Sequence, residues 1–319
     1  MTILVIGAGL VGSQVARVLV EQGETPVLMD TSAQTEAIGQ VVALDAVQII
    51  AGDILRPLSI IKAINDHGIT GIIHTAANPM LTLGAQSDPY AAINLNIMGT
   101  VNVMEAARVT GVKRVVVSSS NVLNHFLAGG NGQDTPVSEE AWPRPTTFYS
   151  ATKQAIESLG LNYAKWCGVE FAGMRYGAVF GPWSGAGGGG PSNVVRTALR
   201  NLMAGEEAVV PAGTMEWVYS KDAGRGTVLA LRAKELGTGI FNVTMAEATT
   251  PEELEDGLRA LFPNGKIRIE TPKATAVSLP NMRRTSDGSI AKATIGYEPE
   301  FDIKTALADM CGWMELQER

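Results

Sequence analysis

The chain has 319 residues, of which 45% are hydrophobic and 18% charged, and its formal net charge is −7. A chain of this length forms one large domain, or a main domain with a smaller companion. The acidic balance argues against nucleic acid, which requires a basic surface, and two cysteines with three scattered histidines indicate neither a disulfide framework nor a metal site.

No targeting or membrane segment is recognisable in the sequence. The chain starts directly on a predicted strand, without the charged region, apolar core and cleavage site of a secretory signal. No apolar run reaches the ~20 residues that span a bilayer. We therefore expect a cytoplasmic protein that partners neither a membrane nor nucleic acid.

A glycine-rich turn follows the first predicted strand. Residues 3–6 are an apolar run, and residues 7–12 read Gly-Ala-Gly-Leu-Val-Gly before apolar residues recur at helical spacing. In a G-x-G-x-x-G turn the glycines permit a tight turn, close approach of the backbone to a pyrophosphate, and close helix–strand packing. This context predicts a dinucleotide site at Gly7, Gly9, Leu10, Val11 and Gly12.

An acidic residue ends the second predicted strand. Asp30 follows Gly12 at close to the spacing of ~20 residues at which a carboxylate binds the adenosine ribose. A carboxylate there repels a 2′-phosphate, and residues 31–34 contain no Arg or Lys. We therefore expect the cofactor to be NAD rather than NADP.

Three more strands are predicted before residue 120. Residues 47–54 and 71–77 form the third and fourth, and His74 in the latter is better explained as a packed or hydrogen-bonded histidine than as a ligand or base. A long helix is predicted over residues 88–109. The fifth strand, residues 114–118, delivers three serines to the carboxyl edge of the sheet, where open α/β sheets bind ligands.

A tyrosine and a lysine, Tyr149 and Lys153, stand four residues apart, which places both side chains on one face of a helix. A nearby ammonium lowers the pKa of a phenol from its free value of ~10, and a hydroxyl from another segment, such as Ser119, can hold a substrate oxygen against that phenol. Such a set can move a proton on or off a carbinol. Taken alone, the motif is better explained by an amphipathic helix with a half-buried tyrosine and a solvated lysine.

Two long segments are predicted to be loops. Residues 124–148 are rich in Gly, Pro and Asp, and residues 183–191 contain four consecutive glycines. We expect the second to be flexible, either as a lid over the substrate or as a disordered surface loop. A further core strand is predicted at residues 239–243, and a small subdomain after Ala246.

Taken together, these residues resemble the extended short-chain dehydrogenase/reductases, also called the NAD-dependent epimerase/dehydratase family, over almost the whole chain. Eight signatures of that family occur in order. They are the glycine turn, Gly52-Asp53, residues 74–77, residues 96–100, residues 118–122, Tyr149 with Lys153, residues 175–182 and residues 217–222.

The resemblance implies a role for each matching residue. Ser119, three residues before Val122, matches the catalytic Ser/Thr, Tyr149 the acid/base, and Lys153 the residue that holds the nicotinamide ribose and lowers the pKa of Tyr149. Further cofactor contacts are implied for Asp30, Asp53, Ile54, Thr75, Ala76, Ala77, Asn96 (with Asn94 as a rival), Ser118 and Tyr176. Substrate contacts are implied for Asn78, Ser119, Ser120, Asn121, Tyr149, Ala178 and Trp217.

Three departures from the family pattern concern the substrate. Nucleotide-sugar enzymes usually carry Asn where Ala178 stands and Arg where Met215 stands, and neither residue present here can donate those hydrogen bonds or that charge. Family dehydratases place an Asp-Glu pair after the catalytic hydroxyl, whereas Ser120-Asn121 follows Ser119 here.

The family implies an α/β fold with a doubly wound, Rossmann-type parallel sheet and a smaller C-terminal substrate-binding subdomain. We expect residues 1–177 and 218–245 to form the NAD-binding domain, and residues 178–217 and 246–319 the subdomain. Members usually dimerise through the helices that carry Asn96 and Tyr149, which predicts a homodimer.

Three functions fit these residues. The leading one is an NAD-dependent dehydrogenase or reductase of a small hydroxy compound such as a sugar, sugar acid, polyol or aromatic alcohol. The second is an NAD-dependent sugar epimerase, which must retain its intermediate while it turns over. The third is a non-catalytic NAD-binding sensor, although such relatives usually lose the catalytic tyrosine.

Overall fold

The computed structural model describes residues 1–77, 85, 87–126, 145, 147–237, 239–271 and 286–317. Strands and helices alternate along most of this chain. The strands are β1 (Ile3–Ile6), β2 (Val27–Asp30), β3 (Gln48–Ala51), β4 (Gly71–His74), β5 (Arg114–Ser120), β6 (Glu170–Tyr176), β7 (Ala178–Phe180), β8 (Ala208–Val210), β9 (Met215–Tyr219), β10 (Ile240–Val243), β11 (Ala248–Thr249) and β12 (Ile267–Ile269).

The helices lie between and after these strands. They are α1 (Leu10–Glu21), α2 (Thr35–Gly39), α3 (Pro57–His67), α4 (Pro89–Ile93), α5 (Gly99–Thr110), α6 (Phe148–Cys167), α7 (Gly189–Met203), α8 (Ser220–Arg232), α9 (Pro251–Leu261), α10 (Ser289–Ile295) and α11 (Ile303–Gln317). Short 3-10 turns span Leu44–Ala46 and Asn121–Phe126, and a π-helical turn, Asn94–Met98, joins α4 to α5.

Seven strands form one parallel sheet in the order β10-β6-β5-β4-β1-β2-β3. The chain winds outward from β1 to β3 and then returns to place β4 on the other side of β1. Ligands of doubly wound sheets bind where the strand order reverses in this way, beyond the carboxyl ends of the strands. The predicted doubly wound, Rossmann-type sheet is confirmed, and its crevice lies between the turns that follow β1 and β4.

Helices cover both faces of this sheet. Ile3 and Val5 join an apolar cluster with α1 and α8, whereas Leu4 and Ile6 join a second cluster with α3, α5 and α6. Successive strand residues point to opposite faces, so a strand buried on both sides must be apolar throughout. This is why β1 is a continuous apolar run.

A third apolar cluster lies beside the large sheet, where β7 and β9 pack with α7, α9 and α11. Strands β7 and β9 belong to the small sheet β11-β9-β7, and β8 and β12, which form a second small sheet, also contribute residues to this cluster. These elements belong to the region expected to form the substrate-binding subdomain. The residue boundaries given for the two domains stay a prediction.

The helix predicted over residues 88–109 is interrupted. The π-helical turn at Asn94–Met98 lies in its middle, and α5 continues from Gly99. A π turn holds one more residue than an α turn, and the apolar spacing that predicts a helix does not distinguish the two.

Hydrogen bonds connect the glycine-rich segment at residues 183–191 with other parts of the chain. Gln34 accepts a hydrogen bond from Ala186 N–H at 2.6 Å and donates to the Ala186 carbonyl at 3.1 Å. Arg196 donates to the carbonyl oxygens of Trp183 and Gly185, and Trp183 is buried. Side chains distant in sequence therefore contact this segment, and α7 begins at Gly189, before the predicted end of the loop. The expected flexibility of the residues before α7 stays a prediction.

Close packing of α6 on the sheet generates a stability prediction. A Cβ on Gly160 of α6 would lie 2.2 Å from the ring of Phe171, whereas a Cβ on Gly312 of α11 would meet no described atom within 4 Å. We expect Gly160→Ala to lower the free energy of unfolding by ~1–3 kcal/mol. Gly312→Ala, the matched control, should raise it by up to ~1 kcal/mol, since alanine favours a helix over glycine. Urea denaturation measures both, and equal effects would contradict the packing.

Candidate active site

The turn after β1 forms a cradle of backbone. Gly7 has φ +95, which L side chains rarely adopt, and a Cβ there would lie 2.5 Å from Ala76 N. A Cβ on Gly12 would lie 1.8 Å from the Gly7 carbonyl oxygen, so helix and turn touch directly. A Cβ on Gly9 would meet no described atom within 4 Å. These are the properties of a turn that brings its backbone against a pyrophosphate, so the residues present fit a dinucleotide.

Two side chains hold this turn in place. Thr75, after β4, donates its hydroxyl to the Gly7 carbonyl oxygen at 2.9 Å. Asp30, at the end of β2, accepts from the N–H groups of Ala8 and Ser32, both at 2.9 Å. Because each carboxylate oxygen has a second lone pair, Asp30 can still accept from ribose hydroxyls.

Further residues expected to contact the cofactor lie just after β1, β3 and β4. Leu10 and Val11 form the start of α1, whose first N–H groups have no intrahelical partner and face the turn. The Asp53 carboxylate, after β3, accepts from a backbone N–H two residues on at 2.8 Å. Ile54 is buried, and Ala77 is exposed just beyond β4. Their contacts to a cofactor stay predictions.

Helix α6 presents Tyr149 and Lys153 to the end of β5. Its start is fixed by a capping box, in which Ser150 N–H donates to the Thr147 hydroxyl at 3.2 Å and Thr147 N–H donates to the Ser150 hydroxyl at 3.3 Å. Lys153 is buried and donates Nζ to the Ser118 carbonyl at 2.8 Å. Nζ lies 5.6 Å from the centroid of the Tyr149 ring, so the expected pair is formed.

Burial changes how both groups titrate. It lowers the pKa of Lys153 to about 8, against a smaller raising effect of the Glu157 charge. It raises the pKa of Tyr149 above its usual value, and a hydrogen bond with the Ser120 side chain acts in the opposite direction. The direction for Tyr149 is the reverse of the lowering expected from the sequence, because the cost of burying a phenolate dominates.

The structure corrects the orientation expected for Ser119. Its hydroxyl donates to Glu157 Oε1 at 2.5 Å, on the buried side of β5, while the next side chain, Ser120, bonds to the Tyr149 phenol. Successive residues of a strand point to opposite faces, so only one of the two serines can face the tyrosine. The serine beside Tyr149 is Ser120.

Glu157 belongs to a buried polar network that the sequence analysis missed. Arg175 donates to both Glu157 carboxylate oxygens, at 2.9 and 2.8 Å, and to Asn124 Oδ1 at 3.0 Å. Asn124 donates to Ser286 Oγ at 2.8 Å, and Ser286 donates its hydroxyl to Glu216 at 2.8 Å. The network thus connects α6 with β9. One signal was available, since a glutamate four residues after Lys153 shares its helix face.

The predicted substrate residues are only partly brought together. Asn121 is buried and donates its amide to Glu216 at 3.1 Å. Ala178 and Trp217 are register partners on β7 and β9, and the Trp217 indole is buried. Asn78 lies outside the described residues.

Asn96 and Tyr176 each make a buried hydrogen bond to a threonine side chain. Asn96 is in the π-helical turn and donates its amide to Thr152 of α6 at 3.0 Å. The Tyr176 hydroxyl bonds to Thr227 of α8, and burial raises the pKa of this phenol. Contacts of either residue to the cofactor stay predictions.

Comparison with known proteins decides the family. The sequence model of the NAD dependent epimerase/dehydratase family matches residues 3–244. The chain belongs to this family. The UDP-glucose 4-epimerase of Corynebacterium glutamicum is 26% identical over 320 residues, which cover 95% of this chain and 92% of that protein.

Two solved structures of similar fold extend the comparison. The UDP-glucose 4-epimerase of Thermus thermophilus, in complex with NAD, has a TM-score of 0.79 at 22% identity, covering 98% of this chain and 99% of that one. The GalE-like L-threonine dehydrogenase of Cupriavidus necator, in its holo form, has a TM-score of 0.82 at 26% identity, covering 98% and 100%.

Family membership and the cradle together make this chain an enzyme whose cofactor is NAD. The described residues contain no group of three or more His, Cys, Asp or Glu side chains that could hold a metal ion. Among the helices that the structure describes, none is long and apolar enough to cross a membrane.

The two serines can be distinguished without knowing the substrate. We expect Ser120→Ala to raise the pKa of Tyr149 further, because the hydrogen bond that lowers it is lost. Ser119→Ala, the matched control, should leave that pKa unchanged. Tyrosinate absorbance, taken as the difference between each variant and the same variant with Tyr149→Phe, measures both. A larger shift of the Tyr149 pKa in the Ser119→Ala variant would show that Ser119, not Ser120, is hydrogen-bonded to the phenol.

Proposed function

We propose that this protein is an NAD-dependent dehydrogenase or reductase of a small hydroxy compound that carries no nucleotide. The observation that carries the proposal is the cluster of Tyr149, Ser120 and Lys153 beside the dinucleotide cradle. A phenol next to a second hydroxyl and a buried ammonium is suited to proton transfer at a carbinol.

Each residue has a distinct part in the reaction. Ser120 donates a hydrogen bond to the substrate oxygen and orients it against the phenol. Tyr149 takes the hydroxyl proton in oxidation and returns it in reduction. One N–H of the Lys153 ammonium donates to the Ser118 carbonyl, and the other two can donate to the nicotinamide ribose. The charge of the ammonium also favours the phenolate form of Tyr149. NAD, when bound, supplies the hydride acceptor.

The absence of a nucleotide from the substrate is supported by two side chains. Ala178 and Met215 pack against the apolar cluster of β7, β9 and α7, at the positions where nucleotide-sugar enzymes of the family carry Asn and Arg. Neither side chain can donate a hydrogen bond to a diphosphate. The similarity to a threonine dehydrogenase is compatible with a small substrate.

An epimerase is the second candidate, because the relatives compared include enzymes named UDP-glucose 4-epimerase. An epimerase returns its hydride to the same molecule, so it turns sugars over without net NADH. This difference separates the two candidates in one assay.

The test of the function is a substrate panel. We expect one or more sugars, sugar acids, polyols or aromatic alcohols to produce NADH absorbance in the presence of NAD. The rate of oxidation should keep rising with pH up to and beyond ~10, the ordinary pKa of tyrosine, since the base form of Tyr149 is the reactive one and burial raises its pKa. Tyr149→Phe should lower the rate by ~10²–10⁴-fold without weakening NAD binding.

Two outcomes would contradict the proposal. The first is interconversion of UDP-sugar epimers without net NADH, or micromolar binding of such sugars to the NAD-loaded protein in calorimetry; either would favour the epimerase. The second is near-normal turnover by the Tyr149→Phe variant, which would show that Tyr149 does not transfer the proton.

We also propose that the protein is a homodimer. Apolar side chains lie exposed on the helices that the family uses for dimerisation, among them Tyr90, which is 80% exposed, Ile93 and Met98 near α4, and Leu159 on α6. Met104 and Ile156, on the same helices, are buried against the sheet. These exposed side chains are therefore not used by the core and are available for association.

Light scattering tests this assembly. We expect a mass twice the 33.6 kDa of the chain at micromolar concentration. Ile93→Glu should shift the protein toward monomer, because it places a charge among the exposed apolar side chains. Leu58→Glu, at an equally apolar but separate exposed position on α3, should leave the dimer intact. A monomeric wild-type protein would refute the proposal.

A further inference from the structure

A chain of side-chain hydrogen bonds connects β4 with the start of α6. His74 contacts Thr100 between Nε2 and Oγ1 at 3.3 Å, and the Thr100 hydroxyl donates to the Asn96 carbonyl at 2.7 Å. The Asn96 amide donates to the Thr152 hydroxyl at 3.0 Å, and that hydroxyl donates to the Tyr149 carbonyl at 2.7 Å. The side chains of His74, Thr100, Asn96 and Thr152 are all buried.

The directions of these bonds determine the state of His74. The Thr100 hydroxyl gives its proton to Asn96, so toward His74 it can only accept, and the imidazole proton must be on Nε2. Nδ1 has no hydrogen-bond partner among the described residues. Burial and the charge of Lys153 lower the pKa of His74 to about 3, which keeps the ring neutral, while the bond to Thr100 favours the tautomer protonated on Nε2.

The chain passes through the π-helical turn. Such turns are rare and occur mostly as single turns inside α-helices, frequently at functional sites. The Thr100 side chain donates to the Asn96 carbonyl inside this turn, and the Asn96 side chain extends from it to α6. The turn is therefore held from both sides by buried side chains.

We propose that His74 and Thr100 are positioning residues that hold the π-helical turn and, through Asn96 and Thr152, fix the first turn of α6, which carries Tyr149. His74 is the fixed end, because it lies in the central sheet and pairs with Val117 of β5, the strand whose Ser118 carbonyl accepts from Lys153. The positions of Tyr149 and Lys153 are thereby fixed relative to the same two strands, β4 and β5. The inference rests on the proposed function only where it concerns turnover.

Hydrogen exchange tests the positioning without a substrate. Thr100→Val keeps the shape of the side chain but removes the hydroxyl, and it should speed amide exchange in residues 148–156 about tenfold, the order expected when a buried hydrogen bond is lost. Thr100→Ser keeps the hydroxyl and should exchange like the wild type. Thr110→Val is the matched control, because Thr110 lies on the same helix and makes the same bond to a carbonyl four residues back, and within the described chain its hydroxyl is not hydrogen-bonded to α6.

A second pair of variants covers the other end of the chain. His74→Gln can still donate to Thr100 and should resemble the wild type in exchange, whereas His74→Leu should behave like Thr100→Val. This pair decides the matter if Thr100→Val does not fold. Unchanged exchange at residues 148–156 in both donor-free variants, or equal effects of Thr100→Ser and Thr100→Val, would overturn the inference.

Turnover provides an independent readout once the panel has identified a substrate. Thr100→Val should lower kcat about tenfold while KM changes less than about twofold, because positioning of Tyr149 matters most in the transition state. A change in KM alone, or a loss of thermal stability without loss of kcat, would reduce Thr100 to a structural role. If no hydroxy compound is oxidised but the exchange pattern is as expected, the proposed function fails and the positioning stands.

Discussion

The buried ion pair between Glu157 and Arg175 is the interaction on which the candidate site depends. It joins α6 to β6 with two hydrogen bonds, and removing one partner of such a pair typically costs ~3–5 kcal/mol because the other charge stays buried. Glu157 also accepts the hydroxyl of Ser119. The ion pair therefore provides the inner partner of Ser119, and the alternation of side chains along β5 leaves Ser120 to face Tyr149.

The same pair couples α6 to β9 through further buried polar side chains. Through Asn124 and Ser286 the network reaches Glu216, which has no cationic partner among the described residues and accepts instead from Ser286 N–H, the Ser286 hydroxyl and the Asn121 amide. A buried carboxylate held by neutral donors depends on every one of them. The position of β9 relative to α6 is accordingly set by polar geometry as well as by apolar packing.

A different contact joins the loop after β2 to the segment before α7. The pairing of Gln34 with both backbone groups of Ala186 fastens the glycine-rich segment to the loop that begins at Asp30. Positive φ angles at Gly187, Gly188 and Gly189 allow the chain to turn from this contact into α7. The glycines thus allow a tight path into a helix, and the segment connects the loop that carries Gln34 with α7.

Local sequence patterns determined most of the fold and the cofactor side of the site. The apolar runs of β1, β4 and β5, the glycine turn and the spacing of Asp30 each act over a few residues, so they can be recognised from the chain alone. The four-residue spacing of Tyr149 and Lys153 likewise needs only a helix. Tertiary structure decided the rest. The serine that faces Tyr149, the raised pKa of that phenol, the π-helical turn and the contacts of the glycine-rich segment all depend on burial and on partners 18 to 152 residues away, such as Glu157 with Arg175 and Gln34 with Ala186. Such contacts have no local signature, because they exist only once distant segments have packed.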